Sequence, residues 1–192
     1  KSNSINILSA SRVFLFGARD IWFVVGIPIF FYDKLSWSFT EVGSFMASWI
    51  IFYGIIQSLA PKLLKIFYGN NFSENEQAFI WAIKLLLIIA CLGILSYTYD
   101  YNGYLICMGL FLFGFIFAIN SSIHSYLILA LAKKNDVTLD VGFYYMANAM
   151  GRLLGCIISG FSYQIAGLIG CFVFAGIFLF FCSVFSFYLK SY

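Results

Sequence analysis

Polar residues in this chain are gathered into short intervals, near 33–40, 62–77, 100–103, 133–136 and 166–167. Between them lie long apolar runs that neither alternate nor carry a continuous polar face. The runs cover about 5–32, 38–59, 76–97, 104–132, 141–165 and 168–189. A helix needs roughly 20 apolar residues to cross a hydrocarbon core, and barrel strands are far shorter and alternate. The pattern therefore predicts an all-α integral membrane fold, with six transmembrane helices forming a single bundle over 1–192.

Local signals set the predicted boundaries. Pro28 can kink or close the first span, because proline offers no N–H and its ring crowds the preceding turn. Ser38-Phe39-Thr40-Glu41 has the spacing of a capping box and opens the second span, which Ala60-Pro61-Lys62 is expected to end. Leu63, Leu64, Ile66 and Phe67 can then lie along the membrane interface. Ser73-Glu74-Asn75-Glu76 offers a second capping box, Asp100-Tyr101-Asn102-Gly103 a tight turn, Asp140 a cap for the fifth span, and Ala166-Gly167 a very short turn before the sixth. Ala147, Gly151, Gly155 and Ser159 recur every fourth residue, a small-residue seam for close helix packing.

Composition agrees with the pattern: 62% hydrophobic, 21% aromatic and 10% charged, with a mean hydropathy of +0.94. A soluble domain of this length could not hide that apolar surface. The five cysteines fall singly inside spans without metal-ligand spacing and read as packing residues. No cofactor or metal is expected. The only histidine, His124, stands late in its span and reads as a structural hydrogen-bonder. With one histidine and no glycine-closed serine turn at Gly160-Phe161-Ser162-Tyr163, an intramembrane serine protease is disfavoured, and the chain is not expected to be an enzyme.

Loop lysines orient the bundle. With the amino terminus inside, Lys1, Lys62, Lys65, Lys133, Lys134 and Lys190 are cytoplasmic and only Lys34 is outside, so both ends are expected in the cytoplasm. Topology explains these lysines, and nucleic-acid binding has no support. The chain starts at Lys1 without a methionine and enters a span within a few residues, which reads as a piece of a longer protein.

Charges inside the spans change the picture from scaffold to path. Arg12, Arg19, Asp20, Lys84 and Arg152 interrupt apolar runs, four cationic and one acidic. A charge at the bilayer centre costs about 2.5–3.5 kcal/mol on insertion scales, so such residues usually face a protein interior or a watery cavity and mark a pathway. At the helical rise, Arg19 lies roughly 20 Å and Arg152 about 16 Å from the cytoplasmic ends of their spans, near the midplane. Arg12 is shallower and is read as snorkelling to the headgroups, and Lys84 is divided between snorkelling and the path. Arg19 and Asp20 are neighbours projecting about 100° apart, which points Asp20 across to another span, with Arg152 or Lys84 as partner. The surplus of cations suits an anionic substrate, because guanidinium forks match phosphate, arsenate or carboxylate oxygens. Arg19, Arg152 and Lys84 are the charged candidates for binding it, with Asn148, Tyr144, Gln57 and Asn120 as neutral ones. Asn148 and Arg152 share a helix face with Tyr144 and Tyr145 nearby. Asp20 is the candidate coupling residue, exchanging a cationic partner for a proton.

Six spans, short loops and embedded charges resemble one half of a major facilitator superfamily transporter, here the carboxy-terminal six-helix half, whose partner would be an amino-terminal six-helix half. The segments Phe14-Leu15-Phe16-Gly17-Ala18-Arg19-Asp20-Ile21-Trp22-Phe23-Val24-Val25-Gly26-Ile27-Pro28, Tyr53-Gly54-Ile55-Ile56-Gln57-Ser58-Leu59-Ala60-Pro61 and Tyr145-Met146-Ala147-Asn148-Ala149-Met150-Gly151-Arg152-Leu153-Leu154-Gly155 resemble the organoarsenical efflux permease (ArsJ) family. That resemblance implies a bacterial inner-membrane transporter expelling 1-arseno-3-phosphoglycerate, made from arsenate by a companion glyceraldehyde-3-phosphate dehydrogenase. The alternatives are a facilitator for another organic anion or sugar phosphate, or a non-transporting membrane scaffold.

Overall fold

The computed structural model describes residues 2–69, 73–98, 102–132 and 136–189. Lys1, Lys133, Lys134 and Lys190, four of the lysines that orient the bundle, lie outside the described residues, as do Asp100 and Tyr101 of the expected turn and Asn135. The described residues form α1 (Asn3–Ile21), a π turn (Trp22–Gly26), α2 (Ile27–Lys34), α3 (Phe39–Tyr68), α4 (Glu74–Thr98), α5 (Gly103–Leu131) and α6 (Val137–Leu189).

Among the described residues five helical segments, rather than six, are long and apolar enough to cross a membrane, because α1 continues into α2 as one and 137–189 forms another. That last segment is bent. Ala166 (φ −145°, ψ 25°) and Gly167 (φ 59°, ψ −148°) leave helical geometry, and only glycine adopts the second conformation without strain. The limbs 137–165 and 168–189 lie side by side, with Ser162 Oγ donating to Cys171 Sγ at 3.4 Å. So short a link lets helical bonding resume at once.

The first segment does not end at Pro28. Proline withholds the N–H that the carbonyl one turn earlier would accept, and the chain answers with the π turn just upstream, in which the Ile27 N–H reaches the Trp22 carbonyl. Val25 and Gly26 N–H groups donate to Ser159 Oγ at 3.2 and 3.3 Å, which ties the turn to the first limb of α6. Nor does Pro61 end the second span: α3 runs on to Tyr68 and is capped by Gly69. The lost hydrogen bond is offset by packing, since Ala60 and Leu64 are buried with Ile5, Trp81 and Leu127. Asp140 lies inside the first turn of α6 rather than capping it, its N–H bonded to the Asp136 carbonyl at 3.0 Å.

Other starts follow their signals. Glu41 N–H donates to Ser38 Oγ at 3.3 Å while Ser38 N–H donates to Glu41 Oε2 at 2.7 Å, a complete capping box. Glu76 N–H reaches Ser73 Oγ at 3.5 Å, and Asn102 Oδ1 accepts from Tyr104 and Leu105 at the start of α5.

Helix α1 is the axis of the bundle. It packs along both limbs of α6, while α4 lies against α5 and α6 and α3 against α5. Gly151 and Gly155 put the first limb directly on the α1 backbone, at Val13 and Gly17. Phe14 stacks among Phe178, Phe181 and Phe185 of the second limb. Two apolar clusters result. One surrounds Trp22, Trp49, Phe113 and Phe117, and the other holds Ile5, Leu8, Trp81, Leu127 and Tyr144. Buried polar side chains lie among them, Ser11 and Arg12 on α1 and Asn120, Ser121 and His124 on α5.

Candidate functional site

The face of α1 that meets α5 and the first limb of α6 carries Arg12, Phe16 and Arg19, spaced as one helical stripe that Phe23 of the π turn extends. Phe16 and Phe23 bracket the Arg19 guanidinium, whose carbon lies 5.2 and 5.9 Å from their ring centres and 5.6 Å from that of Phe117. Held among these rings, the guanidinium folds back to its own neighbour. Arg19 Nε donates to Asp20 Oδ1 at 2.6 Å and Nη2 lies 2.5 Å from the same oxygen. The expectation that adjacent residues project too far apart to pair is therefore wrong here, because the arginine stem is long enough to wind around the helix.

Asp20 is 1% exposed and also receives Arg152 Nε on Oδ2 at 3.1 Å. One carboxylate thus takes a guanidinium on each oxygen, one from its own helix and one from α6, leaving a net positive charge. Gly155 makes this possible: its missing side chain lets α6 approach until a Cβ there would sit 2.8 Å from Asp20 Cβ. Of the three, Arg152 is the open member, with 57% of its side chain exposed against 11% for Arg19.

Arg12 does not snorkel. It is 4% exposed, and its fork is satisfied inside the protein: Nε donates to Asn148 Oδ1 at 3.1 Å, and Nη1 to the carbonyl and hydroxyl oxygens of Ser121, both at 3.2 Å. Its guanidinium carbon stands 3.9 Å over the Phe16 ring and 4.9 Å from that of Tyr144. Among the described residues no carboxylate is within ion-pair distance of it. Polar acceptors on two neighbouring helices hold this charge inside the protein.

The other candidates divide. Asn148 and Tyr144 join the cluster through Arg12. Asn120 is fully buried on α5, and among the described residues neither of its amide atoms nor, one turn on, either ring nitrogen of His124 has a hydrogen-bond partner. Buried polar groups of this kind ordinarily have partners, and their exceptions concentrate at functional sites or ordered waters. Gln57 is half-buried on α3, with no hydrogen bond to the arginines. Lys84 is also apart from them: its Nζ donates to Tyr68 OH at 3.3 Å and stands 3.9 Å from the Trp81 ring centre.

Sequence reasoning passed over Tyr53, whose hydroxyl lies 3.4 Å from Ser121 Oγ, and over Ser121 and Phe16. The signal for Arg12 was present, since Arg12 and Arg19 are two helical turns apart on one face with Phe16 between. Chemically, the cluster is a clasp. Two guanidiniums that share one acid can release part of their bonding to a competing oxyanion, and the exposed Arg152 can do so with least rearrangement.

The family model described as Major Facilitator Superfamily matches residues 8–191. No curated protein and no solved structure matches the chain.

Proposed function

Because the chain belongs to the major facilitator superfamily, a family of membrane transporters and not enzymes, we propose that it carries a small organic anion past the Arg19–Asp20–Arg152 clasp. The observation that carries this reading is the charge imbalance at that clasp: one buried carboxylate is shared by two guanidiniums, and one of these is largely exposed. An incoming oxyanion takes the open fork of Arg152, and Arg19 stays held by its aromatic cage. Transport then proceeds by alternating access, the bundle rocking against a second six-helix half around a midplane site. Protonation of Asp20 would free both guanidiniums for the cargo, which makes Asp20 the coupling residue. A non-transporting scaffold has no use for an open arginine at this depth.

The cargo we propose is 1-arseno-3-phosphoglycerate, on the resemblance of the segments around Arg19, Gln57 and Arg152 to the organoarsenical efflux permeases. Its two oxyanion ends suit more than one guanidinium, and a companion glyceraldehyde-3-phosphate dehydrogenase would supply it. Efflux fits the charge: an inside-negative potential drives each negative charge outward by about 2.3 kcal/mol per 100 mV. The location that goes with this reading is a bacterial inner membrane, with the end carrying Lys62 and Lys65 in the cytoplasm, as the loop lysines suggest. A transporter for another organic anion or a sugar phosphate would use the same clasp.

Growth in arsenate separates the two. A sensitive host carrying the full-length gene together with the dehydrogenase is expected to become resistant, and either gene alone or an inserted Arg152→Ala variant is expected to fail. No resistance in any combination, with the protein confirmed in the membrane, retires the arsenic cargo in favour of another anion.

A further inference from the structure

A second cation sits in a different setting from the arginines. Between the end of α3, the middle of α4 and α5 runs a groove of about 380 Å³, lined by Phe67, Trp81, Leu112, Phe115 and Ile116 together with Tyr68 and Lys84. Its walls are apolar, and it opens sideways from the bundle, where Phe67 and Leu112 are exposed. Among the described residues Lys84 forms no ion pair, although Glu74 and Glu76 open the same helix. Its ammonium is instead set by the 3.3 Å bond to Tyr68 OH and by the Trp81 ring 3.9 Å away. Trp81 is itself fixed, its Nε1 donating to Gln77 Oε1 at 3.2 Å.

Tyr68 is the last residue of α3, so this bond ties the ammonium of α4 to the carboxy-terminal end of α3, with the long lysine stem lying along the apolar wall. Exposed Lys62 and Lys65 lie on the same stretch of α3. We propose that the groove binds an anionic phospholipid, its phosphate on Lys84 Nζ and one acyl chain along Leu112, Phe115 and Ile116. Charge complementarity selects this occupant. A free phosphate could use the ammonium but none of the apolar wall, and a zwitterionic lipid could use the wall but brings a cationic group to an end already carrying lysines. Anionic headgroups are attracted to such lysines, and a lone ammonium in an apolar groove adds a defined position to that general attraction. The site uses none of the residues of the arginine clasp and stands whether or not the proposed cargo is right.

Native mass spectrometry of the purified protein, with phosphatidylglycerol and phosphatidylcholine of matched chains, tests it. The wild type is expected to retain phosphatidylglycerol at least about 5-fold more than phosphatidylcholine. Lys84→Gln is expected to remove that preference. Leu112→Trp, which fills the groove and leaves the ammonium in place, is expected to lower retention of phosphatidylglycerol several-fold, so the proposal does not hang on one variant. It is overturned if Lys84→Gln keeps the wild-type preference, if the pair Lys62→Gln and Lys65→Gln abolishes it with Lys84 intact, or if inorganic phosphate displaces the lipid at equal concentration.

Discussion

Asp20→Asn lowers the stability of the bundle by about 3 kcal/mol. Removing one member of a buried ion pair leaves its partner uncompensated and costs about 3–5 kcal/mol. Asp20 is 1% exposed and holds two such partners. The lower end applies because Arg152 is 57% exposed and can turn outward, and because Phe16, Phe23 and Phe117 still surround the Arg19 guanidinium. Denaturant unfolding of the detergent-solubilised protein measures the loss. Adding Arg19→Met to Asp20→Asn should recover part of it, since the stranded charge is then gone, and that coupling is what a double-mutant cycle isolates. A variant as stable as the wild type would mean that the three side chains do not act as one unit. In a transport assay the same substitution is expected to flatten the pH dependence, because asparagine cannot exchange its partner for a proton.

Gly151→Val is expected to be about as damaging, by a different route. A Cβ at 151 would meet the Val13 backbone, with Cα at 2.8 Å, the carbonyl carbon at 2.9 Å and the carbonyl oxygen closer still. Overpacking costs about 1–3 kcal/mol and sometimes more. Here the obstacle is main chain, which cannot rotate aside, so the upper end, about 3 kcal/mol, applies. Forcing α1 and the first limb of α6 apart also carries Arg152 away from Asp20, so transport should fall even in the fraction that folds. Gly160 is the control: it lies on the same limb with nothing within 4 Å of its would-be Cβ, and Gly160→Val should be nearly neutral. Equal losses at the two positions would indicate a helix-propensity effect and not a packing seam.

Features that depend on a few adjacent residues were readable from sequence. Ser38 and Glu41 make their capping box, the break falls at Ala166 and Gly167, and the four-residue repeat of small side chains faces α1. What misled was local logic applied where tertiary packing decides. Pro61 looks like a stop, yet burial of Ala60 and Leu64 carries α3 seven residues further, to Tyr68. Pro28 looks like a kink, and the structure has a π turn held by Ser159, a residue 131 positions later in the numbering that no local window contains. Arg12 looked shallow enough to reach headgroups, but the acceptors that hold it, Asn148 and Ser121, come from helices whose rotation the sequence does not state. Lys84 stood open between snorkelling and the cationic path because depth along a helix says nothing about direction around it, and its bond to Tyr68 sets it apart from the arginines.

Flux through reconstituted proteoliposomes, comparing wild type with Arg152→Ala and Arg152→Lys, tests the central claim most directly. Arg152 is exposed and contributes one bond to the clasp, so both variants should fold with melting temperatures near that of the wild type. With a stable phosphoglycerate-class anion as cargo, the account predicts saturable wild-type flux, a loss of at least about 100-fold in Arg152→Ala, partial recovery in Arg152→Lys, which keeps the charge without the fork, and no flux of neutral glycerol. Undiminished anion flux through correctly inserted Arg152→Ala would contradict it.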